Sequence, residues 1–320
     1  MTEEGNEHIP VESIKKVPKR VSRRDFLKLS GAGLLALMTG CKVSDQPQTE
    51  PIVPPQDADK LPPAPTAEAD KDLDMSLMDA EKPEATPEQV DYLKEHRQEP
   101  IEMIIQKLEG NTRLVGIGEM HNELDMEQMA NRVIDQASER GLIDFLALEI
   151  DTFRQTDIDE YLSTGEVNPG VQEVFNQHNT GYRQILDTAR SRNLTVVCVD
   201  NHNVQKRDDY MSRAILTRLE ERPNQKGLFY AGNGHIIERY DVLDEELGEA
   251  YYSVLQINEQ SGFIDTVYDA FHQSGITEPV ALDDISNTPF SESTYGHPYE
   301  LWSEYGRITD ALVLLPKQGE

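Results

Sequence analysis

Hydrophobic positions recur along this chain in two alternating periods, and the alternation begins only near residue 86. Ile101, Ile104, Ile105 and Leu108 share one face of a helix predicted over Pro100 to Leu108, with proline at the first position, where its missing N–H costs nothing. Leu114 to Ile117 reads as a short apolar strand that runs into Gly118 and a tight loop carrying Glu119 and His121. The next helix has Met126, Met129, Ala130, Val133, Ile134 and Ala137 at a 3.6-residue period, and Gly141 closes it. Phe145 to Glu149 is apolar up to its last residue, as a strand covered on both faces should be. A helix over Phe153 to Leu162, a polar loop over Glu166 to Gly181 and a helix over Tyr182 to Arg192 follow. Then come a strand at Leu194 to Val199, a helix at Lys206 to Glu221 and a strand at Gly227 to Ala231. Tyr251 to Ile257 and Ala311 to Leu315 are the later strands. This alternation predicts an α/β fold: a mainly parallel sheet with helices on both faces, in a single compact domain behind a disordered tether.

The region before residue 88 carries a different pattern. Ser22-Arg23-Arg24-Asp25-Phe26-Leu27-Lys28 has the form of a twin-arginine export signal. The apolar stretch behind it, Ser30 to Gly40, falls short of the roughly 20 residues of a membrane span. It reads as a signal core ending in Leu37-Met38-Thr39-Gly40-Cys41, which resembles a bacterial lipobox, so Cys41 is the expected lipid attachment site. Several acyl chains on one cysteine anchor a protein stably, whereas one is marginal. Residues 42–87 are rich in Pro, Ala and acids and hold no aromatic residue; such a segment cannot bury enough apolar surface to fold and serves as a spacer. The expected organisation is therefore a signal at 1–41, a linker at 42–87 and an α/β domain at 88–320. The expected location is the bacterial envelope, held there by lipid.

Charge narrows the choice of partners. The formal net charge is −29, and the residues after Cys41 hold 23 basic and 54 acidic side chains against 7 and 5 before it. A nucleic-acid binder needs the opposite balance. With two cysteines, Cys41 and Cys198, and the first expected to be lipidated, no internal disulfide, cysteine-rich zinc site or covalent haem attachment is available.

The chemistry-bearing groups cluster at predicted strand ends. Two segments have the same shape, Gly118-Glu119-Met120-His121 and Gly232-Asn233-Gly234-His235, each a Gly-x-x-His after an apolar strand. Glu149 ends the second strand and Asp200 the third. In a parallel sheet these ends lie along one edge, where open α/β sheets bind ligands. Imidazoles and carboxylates there could hold zinc or manganese through His121, Glu149 and His235, or could work as a base and its orienting partner without a metal. His202 and the other loop histidines, His178, His272 and His297, read as solvated side chains. No Gly-x-Ser-x-Gly, phosphate-binding Gly-x-x-x-x-Gly-Lys or His-Glu-x-x-His is present.

Five blocks in order resemble the ChaN-like haem-binding lipoproteins, in the wider grouping with the Tiki and TraB proteins and the erythromycin esterases. They are Val115 to His121; Ala147 to Glu149 with Arg154-Gln155 and Asp159 to Leu162; Tyr182 to Leu186 with Ala189-Arg190; Arg207 to Met211; and Ala231 to His235. The resemblance implies an envelope lipoprotein that binds haem or another iron cofactor for iron uptake, with a homodimer among the compatible assemblies. It equally implies the alternative of a hydrolase, an esterase or peptidase, since relatives use the Gly-x-x-His pair hydrolytically. By either reading Glu119, His121, Glu149, Arg207 and His235 are the shared motif positions. No tyrosine is matched to the haem ligand; Tyr182, Tyr210 and Tyr230 lie near the motifs.

Overall fold

In a computed structural model, residues 84–178, 180–237, 242–259, 266–297, 300–304 and 309–316 are described; Arg23, Arg24, Cys41 and all but the end of the linker lie outside them. Thr86 starts the first helix, α1 (Pro87–His96). Its hydroxyl accepts from the Gln89 N–H, and the Gln89 side chain accepts from the Thr86 N–H, a reciprocal cap. Helix α2 (Pro100–Glu109) buries Ile101, Ile104, Ile105 and Leu108 together with Met103.

Strand β1 (Leu114–Glu119) is buried along its whole length, so Glu119 is the last residue of the strand and not part of the loop predicted for it. Helix α3 (Leu124–Glu139) leads to β2 (Phe145–Asp151), and Thr152–Arg154 forms one 3₁₀ turn before α4 (Gln155–Thr164). Gly165 ends α4 at φ +78°, a left-handed conformation that glycine adopts without strain. The predicted polar loop over Glu166 to Gly181 is instead largely helical: α5 (Pro169–Gln177) starts with Asn168 accepting from the Val171 N–H and with Pro169 at its first position. The cap and the proline mark the helix start, and Val171 and Val174 are its buried side chains. Helix α6 (Thr180–Ser191), β3 (Thr195–Asp200), α7 (Arg207–Glu221) and β4 (Gly227–Gly232) complete the first half.

After β4 come the single-turn α8 (Asn233–Ile236), α9 (Val242–Leu247), β5 (Tyr251–Ile257), α10 (Thr266–Ser274) and β6 (Val280–Asp283). A hairpin of β7 (Thr294–His297) and β8 (Glu300–Glu304) precedes β9 (Ala311–Leu314). Strands β6, β7 and β8 and helices α9 and α10 are not marked by the hydrophobic pattern; each is short, and β6 is only four residues long.

The main sheet has the order β3-β2-β4-β1-β5-β9-β6, parallel except for β6, which runs antiparallel beside β9. Successive residues of each strand face opposite sides. Val115, Ile117, Leu146, Leu148, Leu228 and Tyr230 join α2, α3 and α6 in one core; Leu114, Phe145, Ala147, Phe229 and Ala231 join α1, α7 and α10 in the other. A sheet covered on both faces must be apolar on both, which explains the unbroken hydrophobic runs. The consequence for function lies in the order. β1 and β4, far apart in sequence, pair directly, with Gly118 opposite Ala231 and Glu119 opposite Gly232. β2 pairs with β4 on its other side. Three strands therefore end side by side.

Candidate functional site

Each of those strands delivers a titratable side chain at its carboxyl end. Glu119 closes β1 and is 1 % exposed; its Oε1 accepts from His121 Nδ1 at 2.7 Å. A carboxylate can only accept, so Nδ1 carries the proton and Nε2 is the free face of the ring. The His121 side chain is half exposed, and its Nε2 stands 3.9 Å from Glu149 Oε2. Gly232 of β4 lies against the same ring: a Cβ there would come within 3.2 Å of His121 Cε1 and Nε2. A close approach of this kind is also what Gly118 provides, since a Cβ there would fall 2.3 Å from Asn233 Oδ1. The two Gly-x-x-His segments are thus fitted to each other.

Glu149 is the centre of an ion-pair web. The β2–β3 register shifts between Leu148 and Asp151, an irregularity of the kind that re-aims side chains at strand ends. Glu149 Oε2 accepts from the Gly232 N–H at 2.9 Å, and Oε1 lies 2.9 Å from Arg207 Nη2 and 3.2 Å from His235 Nε2. Arg207 also donates to both oxygens of Asp200, at 2.9 and 2.7 Å. His235 Nδ1 pairs with Asp208 Oδ1 at 2.5 Å. Burial alone would lift the Glu149 carboxyl, but the hydrogen bond and charge of His235 and the Gly232 amide bring it down to about 2. Burial likewise opposes protonation of His235, yet its bonds to Asp208 and Glu149 carry it up to about 10. The Glu119 hydrogen bond raises His121, burial works against it, and the Glu149 charge adds to the rise.

All five motif residues therefore meet. They do not play equal parts. A cavity of about 250 Å³ is lined by His121 and Glu149 with Ile150, Phe153, Arg154, His178 and others, whereas Glu119, Arg207 and His235 are not among its lining residues and reach it through His121 and Glu149. Arg207, with its guanidinium on Glu149 and Asp200, holds carboxylates of the protein itself.

The sequence reading missed several members. His178 and His202, read as solvated loop side chains, both line the cavity, as do Asp151, which that reading left out, and Asp200, the strand end it named. His178 stacks on Tyr182 with ring centroids 3.9 Å apart, and burial pulls its pKa down to about 4, which leaves it neutral. His202 Nε2 lies 3.1 Å from Asp200 Oδ2 and 3.8 Å from Asp151 Oδ2. Asp208 was legible only as part of the Arg207 to Met211 block.

The donor set for a metal differs from the expected one. Among the described residues, ligand-type atoms lying within 4.8 Å of one another come from Asp151, Asp200 and His202. Asp200 there already accepts from Arg207 through both oxygens. In the expected set of His121, Glu149 and His235, both nitrogens of His235 are paired and protonated, so that ring has no lone pair to give. As arranged, that expected trio fits an ion-pair network, and the cluster that could hold a metal is Asp151, Asp200 and His202.

Neither a protein-family model nor a curated protein sequence matches this chain. Solved structures do. A succinoglycan biosynthesis protein superposes with a TM-score of 0.57 at 10 % identity, over 71 % of this chain and 96 % of its own. A histidine-to-asparagine variant of the erythromycin esterase EreC, in its open conformation, superposes at 0.55 with 12 % identity, over 74 % of this chain and 98 % of its own. A ChaN structure of Campylobacter jejuni, described as binding haem cofacially, reaches 0.39 at 12 % identity over 66 % and 90 %. The likeness to the succinoglycan biosynthesis protein and to the erythromycin esterase thus holds at the level of the fold alone.

Proposed function

We propose that the cavity is a hydrolytic site acting on the ester or amide bond of a small molecule, with His121 as general base. The observation that carries this reading is the Glu119–His121 pair: a buried carboxylate fixes Nδ1–H and leaves Nε2 free at the cavity wall. A water held at Nε2 attacks the carbonyl carbon, and His121 takes its proton. The bond to the leaving group then breaks, and the proton passes to that group. The negative charge that develops on the carbonyl oxygen needs a donor, and Arg154, which lines the cavity while paired with Asp157 and Glu173, is the guanidinium there. Glu149, held by Arg207 and His235, positions the far side of the His121 ring. The fold shared with an erythromycin esterase supports the class of reaction.

The test is turnover of a panel of small esters and peptides by the parent and by His121→Ala. Loss of one proton-transfer group is expected to lower kcat by about 10²- to 10⁴-fold; equal rates overturn the reading. Because His121 works deprotonated and its pKa is raised, activity should climb with pH through a midpoint above the ordinary 6.5.

Haem or another iron cofactor is the second reading, supported by three imidazoles, His121, His178 and His202, around a cavity whose rim carries the 64 % exposed Phe153. The cavity is smaller than the roughly 300–1,000 Å³ that encloses a drug-sized ligand, so a porphyrin would be held by one edge. Tyr182 and Tyr230 are fully buried, and the Tyr210 hydroxyl faces Thr152 at 3.3 Å, which leaves imidazole as the ligand type. A Soret shift on adding hemin, lost in His178→Ala or His202→Ala, would favour it. Either activity belongs, on the signal-like pattern ending at Cys41, to the outer face of a membrane; Cys41→Ser should move the protein from the membrane to the soluble fraction.

A further inference from the structure

The ends of β2 and β3 bring together ligand-type atoms that the Glu119–His121 pair does not use. The shifted register between these strands sets Asp151 directly beside Asp200, as its partner across the sheet. Carboxylates opposite each other on neighbouring strands repel. Both are withdrawn from water, the Asp151 side chain being 15 % and the Asp200 side chain 1 % exposed. His202, just past the end of β3, turns its ring back toward them, with Nε2 3.1 Å from Asp200 Oδ2 and 3.8 Å from Asp151 Oδ2. Among the described residues that ring makes no hydrogen bond: its contact with Asp200 has the distance of one but not the alignment.

Lone pairs decide which atoms are open. Asp200 Oδ1 accepts from Arg207 Nε and from the Asn201 N–H, which uses both of its lone pairs. Its Oδ2 accepts from Arg207 Nη2 alone and keeps one. Asp151 Oδ1 accepts from the His202 N–H at 3.3 Å, and Oδ2 is left over. Among the described residues no lysine or arginine pairs with Asp151, whereas Arg207 serves Asp200 and Glu149. Three atoms therefore face one another without bonding: two carboxylate oxygens and an imidazole nitrogen.

We propose that Asp151, Asp200 and His202 form a site for a divalent first-row cation, each giving one atom. Around such an ion, with bonds of about 2.1 Å, adjacent ligand atoms stand roughly 3.0 Å apart in octahedral and 3.4 Å apart in tetrahedral geometry. One atom from each residue already lies within 4.8 Å of the other two, and the exposed His202 ring is free to close the remainder. Two carboxylates with one imidazole suit manganese or zinc. The three residues line the same cavity as His121, so the positions they leave open face a bound ligand. A cation there supplies the charge that Asp151 lacks and can polarise a ligand oxygen. No step assigned to His121 runs through it.

The test is Mn²⁺ binding to the full chain, first stripped with chelator, followed by electron paramagnetic resonance in about 0.5 M KCl so that the acidic surface is screened. A single Mn²⁺ per chain should leave the free-ion signal, and pulsed spectra should show coupling to one imidazole nitrogen. His202→Gln should abolish that coupling and weaken binding by more than the roughly ten-fold that loss of a supporting group costs. Asp151→Asn should weaken binding to a similar degree and keep the coupling. Binding that salt abolishes, or that Asp151→Asn leaves unchanged, reflects the general acidity of the chain and overturns the proposal. Coupling that survives His202→Gln and is lost in His121→Gln places the ion on the other histidine and overturns it too. None of these spectra needs a substrate, so the hydrolytic reading and the cation site fail separately.

Discussion

Arg207 shows best what single side chains contribute. Its guanidinium stands between Glu149 and Asp200, which are 5 % and 1 % exposed as side chains. Removing it strips the guanidinium from buried Asp200 and leaves Glu149 with His235 alone as its cation, a loss on the order of 3 kcal/mol in unfolding free energy. Arg207→Ala should therefore show a large drop in urea-unfolding midpoint, and Arg207→Lys only a partial recovery, because an ammonium cannot fork between two acceptors. His235 adds a pH dependence of known sign. Its folded pKa of about 10 lies above the ordinary 6.5, so its contribution to stability is complete below about pH 6.5 and disappears as pH rises through 10. Asp208→Asn should cost about 1 kcal/mol at neutral pH and flatten that alkaline decline, both measurable by denaturant unfolding at two pH values. At this scale the sequence is legible where a side chain sits at a strand end: Glu119, His121, Glu149 and His235 are all found that way. Asp151, His178, His202 and Asp208 are brought in from a bulged strand, a helix cap, a loop and a helix start, and no local period marks such arrivals.

Helix α5 is the element on which the reading of the pattern and the structure differ most. Val171, Val174 and Phe175 lie at helical spacing and Asn168-Pro169 states its start plainly, although the polar residues around them read as a loop. Through Val174, Gln177 and the capping His178 it forms one wall of the cavity. The Asn168 cap is worth about 1 kcal/mol, and a helix this short depends on it. In Asn168→Ala, amide exchange should quicken across residues 169–177 while protection in β1 and β4 stays unchanged; uniform loss everywhere would mean that α5 is not a separate unit. Gly165→Ala, at φ +78° beside the Arg190 guanidinium, should destabilise the end of α4 by about 1 kcal/mol or more. The strands were readable because both faces of the sheet are covered, which turns each into an unbroken apolar run. Edge strand β6 is apolar and buried over Val280 to Leu282, but a run that short does not mark a strand.

For the whole molecule the governing quantity is charge. At −29 the folded chain repels itself, and salt screens that repulsion as the Debye length falls from about 30 Å at 0.01 M to about 8 Å at 0.15 M. Thermal midpoints should rise with sodium chloride over that interval, in contrast to a protein held by surface ion pairs. A flat or falling midpoint would mean that acidic groups are paired more fully than their number suggests. The α/β class was predictable because its alternation is global; the strand order was not, because nothing local tells β1 to seek β4.

That partnership has a consequence for timing. β1 is flanked in the sheet by β4 and β5, both synthesised roughly a hundred residues after it, so a growing chain carries its central strand with two bare edges until the second Gly-x-x-His has left the ribosome. Long-range closures of this kind are slow and exposed to wrong pairing. The same register that seats His121 against Gly232 thus ties the site to a late strand, and any chain stopped short of residue 232 will have made the first half of the pocket with nothing to close it.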